Sequence, residues 1–222
     1  MLELFFIIIA AIFIGLSLGL LGSGGAILTT PALTYIVGQD AKTAIASSLA
    51  IVGFISFSGM LKYQQKQLIQ WPVVLQFGIP SMLASYMSAG LSVYLTGAEQ
   101  LTLFAVVMLL SAMSMLKPKT NISHESVKGH SALKLLAIGI VVGSITGLVG
   151  VGGGFLIIPA LLFFTQMSML NAVATSLTII ALQSSSGFIN YYLLASVHNL
   201  NFNWKVIAIF ALIGSISSLF GH

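Results

Sequence analysis

Residues Gly147–Leu161 read Gly-Leu-Val-Gly-Val-Gly-Gly-Gly-Phe-Leu-Ile-Ile-Pro-Ala-Leu, and the chain has already spelled that pattern at Gly19–Leu33 as Gly-Leu-Leu-Gly-Ser-Gly-Gly-Ala-Ile-Leu-Thr-Thr-Pro-Ala-Leu. A glycine cluster followed at fixed spacing by proline interrupts a helix, since glycine loses the most freedom on becoming helical and proline lacks an N–H. Each cluster lies inside a long apolar run, where broken helix exposes backbone groups that hydrocarbon cannot satisfy. Two such breaks at one spacing imply a duplicated membrane protein with a use for them.

Working outward, the composition is that of an integral membrane protein: 58% of residues are hydrophobic and 5% charged, far from the roughly one quarter charged content of soluble domains. The 222 residues accommodate roughly seven helices of about 20 residues with short connections, and leave no soluble domain. The net charge of +4 comes from eight basic residues, all Lys, placed mainly in connecting segments. They read as topology signals rather than a nucleic-acid surface. Without Cys there is no disulfide, thiolate metal site or cysteine nucleophile. The N-terminal apolar segment lacks a positive n-region and belongs to the first glycine pattern, so it reads as a mature membrane segment.

The expected architecture is all-α and polytopic. Leu4 to Val37 forms a broken first segment, Ala44 to Leu61 a second span, Trp71 to Leu95 a third with a kink at Pro80, and Leu101 to Leu116 a fourth, after a short turn at Gly97–Gln100. Residues 1–116 make repeat one, the Lys-rich stretch 117–134 a polar cytoplasmic linker, and residues 135–222 repeat two, without a counterpart of the fourth span. An offset of 128 aligns the halves: 19 of the 49 residues from 15 to 63 recur unchanged, among them Gly22, Gly24, Pro31, Ser48, Ser56, Gly59 and Tyr63. Trp71 answers Trp204 after a five-residue insertion.

If each broken segment crosses once, seven Lys share a side with the N-terminus and only Lys42 lies opposite. The positive-inside bias then puts the N-terminus in the cytoplasm and makes the halves parallel. The rival is a re-entrant hairpin at each break, which inverts the halves and divides the Lys six against two.

The doubled Gly-Leu-x-Gly-x-Gly-Gly-x-x-Leu-x-x-Pro-Ala-Leu, the following Ala44–Leu49 and Ala172–Leu177, and the later Ser58-Gly59 and Ser186-Gly187 resemble the sulfite exporter (TauE/SafE-type) membrane permeases over nearly the whole chain. The resemblance implies a carrier in a bacterial or archaeal inner membrane for sulfur-containing or related organic anions such as sulfite, sulfonates or sulfoacetate. Members of that family commonly carry an eighth span, for which this chain has no segment.

The residues themselves point to the same ligand class. The start of a half-helix after each glycine turn offers unpaired N–H groups and the positive end of the helix dipole, so an anion can bind without a basic side chain buried in lipid. One central site is therefore expected from Gly22, Gly24 and Gly25 together with Gly150, Gly152, Gly153 and Gly154. Counting residues from the polar turns puts Ser56 and Ser184 level with the breaks, and Gln183 beside Ser184. Thr29 or Thr30 adds donors in the first half only. The competing explanation for the glycines is close helix packing, and for the hydroxyls it is bonding to their own helix. Lys62 reads as a topology lysine or, alternatively, an anion-attracting group at a pore mouth.

Four acidic residues, Glu3, Asp40, Glu99 and Glu125, all near segment ends or in loops, supply no carboxylate pair, nucleophile–base pair or mid-membrane proton relay, so enzyme function is not expected. His124, His130 and His198 have no companion ligands, so no metal or cofactor is expected. The expected partners are a small anion and membrane lipid, with no nucleic acid. A homo-oligomer is compatible with the sequence but not specified by it. An anion channel or a non-transporting membrane scaffold is the alternative to a carrier.

Overall fold

A computed structural model describes residues 2–22, 24–116, 132–150, 154–165, 167–198 and 200–220. Among them the regular elements are helical, as an apolar chain requires when each backbone group must find its partner locally. The helices are α1 (Leu2–Leu21), α2 (Gly24–Pro31), α3 (Ala41–Gln65), α4 (Ile79–Leu91), α5 (Gly97–Leu116), α6 (Ala132–Val149), α7 (Gly154–Thr165), α8 (Met169–Leu193) and α9 (Trp204–Phe220). Among the described residues, three helices, α3, α6 and α8, are long and apolar enough to cross a membrane by length and composition. Residues 117–131 of the expected linker, with His124 and His130, lie outside the described residues, as do Gly152 and Gly153.

Side-chain caps explain several helix starts. Asp40 accepts from the Lys42 N–H at 3.1 Å, and Ser168 accepts from the Asn171 N–H at 3.3 Å, each supplying a partner to an otherwise unpaired donor. Thr96 and Glu99 cap one another reciprocally, with the Thr96 N–H 2.7 Å from the Glu99 carboxylate and the Glu99 N–H 3.3 Å from the Thr96 hydroxyl. This capping box makes Gly97–Gln100 the first turn of α5, not the connecting turn expected from sequence. The irregular part of the third segment is the wider-wound stretch Val74–Gly78, just ahead of Pro80. A similar stretch, Ala32–Ile36, continues α2 after Pro31.

α1 and α6 end alike. The Gly22 N–H closes on the Leu18 carbonyl at 2.8 Å and the Gly150 N–H on the Thr146 carbonyl at 2.7 Å, and both glycines take left-handed φ values of +66° and +69°, the usual way a helix stops at glycine. The chain then turns back. A Cβ on Gly25 would overlap the Ile14 carbonyl oxygen and sit 2.9 Å from Leu18 Cγ, whereas a straight continuation would carry residue 25 about 16 Å beyond residue 14. The first broken segment is thus a helical hairpin, the shape of the re-entrant alternative rather than of one straight helix.

Contacts between helices give their directions. Gly139 lies on Phe77, Gly143 on Ser81 and Gly147 on Ser85, so α6 runs parallel to the α4 segment. Gly15 on Gly214 and Gly19 on Ser218 make α1 and α9 parallel. The Ser58 and Ser215 hydroxyls bond at 3.1 Å and the Lys62 amine donates to the Leu219 carbonyl at 2.6 Å, so α3 is parallel to α9. Gly78 faces Ile179, Gly187 faces Ser85 and Gly90 faces Asn190, so α4 is parallel to α8, and the pair is tied by Ser85 donating to the Gln183 carbonyl at 3.3 Å and Ser186 to the Met82 carbonyl at 2.9 Å. Between α3 and α8 the numbers run oppositely, Gly53 facing Ser184 and Ser185 while Gly187 faces Leu49. Two trios, α1–α3–α9 and α4–α6–α8, therefore meet head to tail along α3 and α8, and each trio draws helices from both halves of the chain. Small residues let these backbones approach closely. That accounts for Gly15, Gly19, Gly139, Gly143 and Gly147 as packing positions.

Candidate functional site

The two glycine turns dock on opposite halves of the chain. A Cβ on Gly22 would lie 2.9 Å from Val173 Cγ1 and 3.1 Å from the Ser176 hydroxyl, both on α8, and 3.1 Å from Ile158 Cδ1 on α7. A Cβ on Gly150 would overlap Ile45 Cγ2 on α3. Ile45 and Val173 are separated by the 128-residue offset, as are Ser48 and Ser176. Ser48 reaches the Gly150 carbonyl and, at 2.8 Å, its own Ile45 carbonyl, and its oxygen accepts from the Thr30 hydroxyl at 3.0 Å. Ser176 donates to its own Val173 carbonyl at 2.9 Å. The half-helices α2 and α7, which start at Gly24 and Gly154, touch one another.

Several polar groups expected to face a ligand are already engaged. Thr29 bonds the Gly25 carbonyl at 3.0 Å and Thr30 bonds Ser48, so neither is a free donor in the first half. Glycines 22, 25 and 150 each have a structural reason for lacking a side chain, in left-handed φ or in a backbone or side chain pressed against them. Lys62 lies at the end of α9, where its charge meets the negative end of the helix dipole.

Ser56, Gln183 and Ser184 differ from these. All three are fully buried at 0% exposure, and neither the two hydroxyls nor either end of the Gln183 amide has a hydrogen-bond partner in the protein. Ser47, Ser81 and Ser218 are buried in the same condition; sequence reasoning passed over them, because serines in apolar helices usually bond the preceding turn. Only the tertiary contacts separate the two groups. Ser184 and Ser56 each lie eight residues along their helices from the serines nearest the turns, Ser176 and Ser48, which is about 12 Å of helix.

Ser184 also backs a surface groove. The Cβ position of Gly53 lies 3.5 Å from Ser184 Cβ, and Gly53 lines a cavity of about 630 Å³ with Leu49, Phe54, Phe188, Trp204 and Ala211. Its walls are apolar, so they recognise no charge themselves. Among the described residues no group of three His, Asp or Glu is arranged to hold a metal ion.

Comparison with known proteins places this sequence in a family. A probable membrane transporter protein of Xylella fastidiosa (strain 9a5c) is 32% identical over 168 residues, which cover 74% of this chain and 64% of the relative. The match thus spans somewhat less than two thirds of that relative's length. A probable membrane transporter protein of Methanocaldococcus jannaschii is 30% identical over 191 residues, covering 83% and 71% of the two chains, and one of Bacillus subtilis is 30% identical over 203 residues, covering 81% and 74%. No solved structure matches. With apolar helices throughout, relatives described as membrane transporters, and a family match over residues 7–222 that includes both glycine turns, the chain belongs to the family described as Sulfite exporter TauE/SafE.

Proposed function

We propose that this chain carries small anions of the sulfur-containing or organic class, such as sulfite, sulfonates or sulfoacetate, through a central site. The site combines the backbone N–H groups at the starts of α2 and α7, at Gly24, Gly25 and Gly154, with the side chains of Ser56, Gln183 and Ser184, while Gly22 and Gly150, whose own N–H groups already bond the Leu18 and Thr146 carbonyls, shape the turns. The observation that carries the reading is the burial of those three side chains without partners. An unpaired buried polar group costs about 1–3 kcal/mol, and native interiors hold few of them. A ligand bound during transport would complete their hydrogen bonds, while the starts of α2 and α7 would supply positive potential where no cation is buried among the described residues.

The transport framework we propose is a pair of inverted repeats. It is supported by the reciprocal contacts: Gly22 with Val173 and Gly150 with Ile45 at the 128-residue offset, then Gly15 with Gly214 and Gly143 with Ser81 once the five-residue insertion is allowed for. In this arrangement α1, α3, α4, α5, α6, α8 and α9 traverse the membrane, and α2 and α7 return part of the way, as broken helices do at carrier midplanes. Six Lys then share the linker side and Lys42 and Lys205 the other, so the positive-inside bias keeps the linker cytoplasmic but puts the N-terminus outside. That reverses the orientation expected from a single crossing.

The test is ligand-dependent stabilisation of the purified protein by sulfite, sulfonates, sulfate and carboxylates, with counterflow in proteoliposomes. Ser56→Ala and Ser184→Ala should fold normally, since each deletes an unpaired hydroxyl, and should weaken anion binding several-fold. Undiminished affinity in the double variant would remove the site from these helices.

A further inference from the structure

The groove that Ser184 backs runs along α9 from Trp204 to Leu212, between α3 and α8. Eight residues of helix make it about 12 Å long, and its walls are mainly apolar. At the Trp204 end it meets a second depression, lined by Asn201, Phe202, Asn203, Trp204 and Lys205, where the Lys205 ammonium has no carboxylate beside it. The Asn203 side-chain oxygen accepts from the Val206 N–H at 3.3 Å, which leaves the NH2 end of that amide as a donor. Ring centroids place Trp204 5.6 Å from Phe202, 6.1 Å from Tyr192 and 6.4 Å from Phe188, so the junction of the two depressions has the aromatic make-up of a membrane–water boundary. The room and the charge occur together. At the positions equivalent under the 128-residue offset and its five-residue insertion stand Thr178, Ala181 and Leu75 for Ala50, Gly53 and Ala208, each bulkier, and Pro72 for Lys205.

We propose that this groove binds an anionic phospholipid, with an acyl tail between α3, α8 and α9 and the phosphate against Lys205 and Asn203. The proposal uses the arrangement above in which α9 crosses the membrane, so that the groove opens to lipid and not to water. An acyl tail gains little by leaving hydrocarbon for an equally apolar wall. Selection therefore falls to the headgroup. One with net negative charge is attracted by Lys205, whereas a zwitterionic one brings its own cation towards the same amine. The lipid lies on the outer surface of the bundle, apart from the buried Ser56, Gln183 and Ser184 side chains.

The chain's two tryptophans, Trp71 and Trp204, are each about half exposed and provide the reporters. The whole chain carrying Trp71→Phe, with Trp204 as its sole indole, is placed in phosphatidylcholine vesicles that contain a fixed fraction of tail-brominated phosphatidylglycerol or tail-brominated phosphatidylcholine. Bromine quenches an indole it touches. Quenching of Trp204 should report about fivefold tighter association with the phosphatidylglycerol, equivalent to about 1 kcal/mol. Lys205→Gln should make the two lipids equal. Ala208→Leu, at an exposed position, fills the groove as Leu75 does at the equivalent place and should reduce quenching by both. In the Trp204→Phe chain, the response of Trp71 should be the same with and without these two substitutions, which also shows that the variants remain folded and inserted. Equal quenching of Trp204 by the two lipids, a preference that survives Lys205→Gln, or no effect of Ala208→Leu would each overturn the proposal. Weak quenching by both lipids together with cross-linked dimers would assign the groove to a second copy of the chain and overturn it too. Anion binding is measured separately, so the lipid site and the carrier reading can fail independently.

Discussion

Gly150→Ala should destabilise the protein markedly more than Gly22→Ala, although the two glycines are equivalent in the sequence pattern. Both hold left-handed φ, +69° and +66°, and forcing alanine into that region costs about 1–2 kcal/mol in either place. Their surroundings differ. Around Gly22 the new methyl meets side-chain atoms, Val173 Cγ1 at 2.9 Å, Ile158 Cδ1 at 3.1 Å and the Ser176 hydroxyl at 3.1 Å, which can give by a few tenths of an ångström. At Gly150 it overlaps Ile45 Cγ2 and lies 3.1 Å from both Ile45 Cβ and the Ile45 carbonyl. That methyl sits on a branched Cβ with little rotamer freedom, on a fully buried residue. Overpacking of this kind adds about 1–3 kcal/mol, so Gly150→Ala should total about 2–5 kcal/mol against about 1–2 for Gly22→Ala. Reversible unfolding in mixed micelles measures both. A double-mutant cycle isolates the steric part: Ile45→Ala removes Cγ2 and should show a coupling of about 1–3 kcal/mol with Gly150→Ala, whereas Ile45→Val keeps Cγ2 and should show almost none. Equal destabilisation by the two glycine variants, or the absence of coupling with Ile45→Ala, would refute the docking of this turn on α3.

In the otherwise cysteine-free chain, Leu2→Cys and Asp40→Cys should label from the same side of the membrane and Ser126→Cys from the cytoplasm. Labelling of Leu2 and Asp40 from opposite sides would restore the single crossing. Gln100→Leu removes the bonds from the Gln100 amide to the Leu148 carbonyl at 3.0 Å and to the Tyr191 hydroxyl at 3.1 Å, and should lower stability by about 1–3 kcal/mol in the same unfolding assay. Lys62→Met deletes an amine that caps α9; its effect on stability should stay below about 1 kcal/mol and anion affinity should be unchanged. A large loss of affinity would return Lys62 to the role of an anion-attracting group.

The sequence alone determined what depends on composition and local pattern: a helical membrane protein, the positions of the two glycine breaks, the 128-residue correspondence and the family. These are legible because hydropathy, glycine clusters and helix caps act within a few residues of themselves. What happens after each break is not local. A helix ended by a left-handed glycine can be followed by a continuation or a return, and contact between Gly25 and the backbone of Ile14 and Leu18 selects the return. The same dependence on distant contacts governs the site. Thr30, Ser48 and Ser176 look no different in sequence from Ser56 and Ser184, yet the first three have partners and the last two have none. Whether a hydroxyl in an apolar helix is spent on a carbonyl or left for a ligand depends on what the neighbouring helix brings opposite it, and only the tertiary structure decides that.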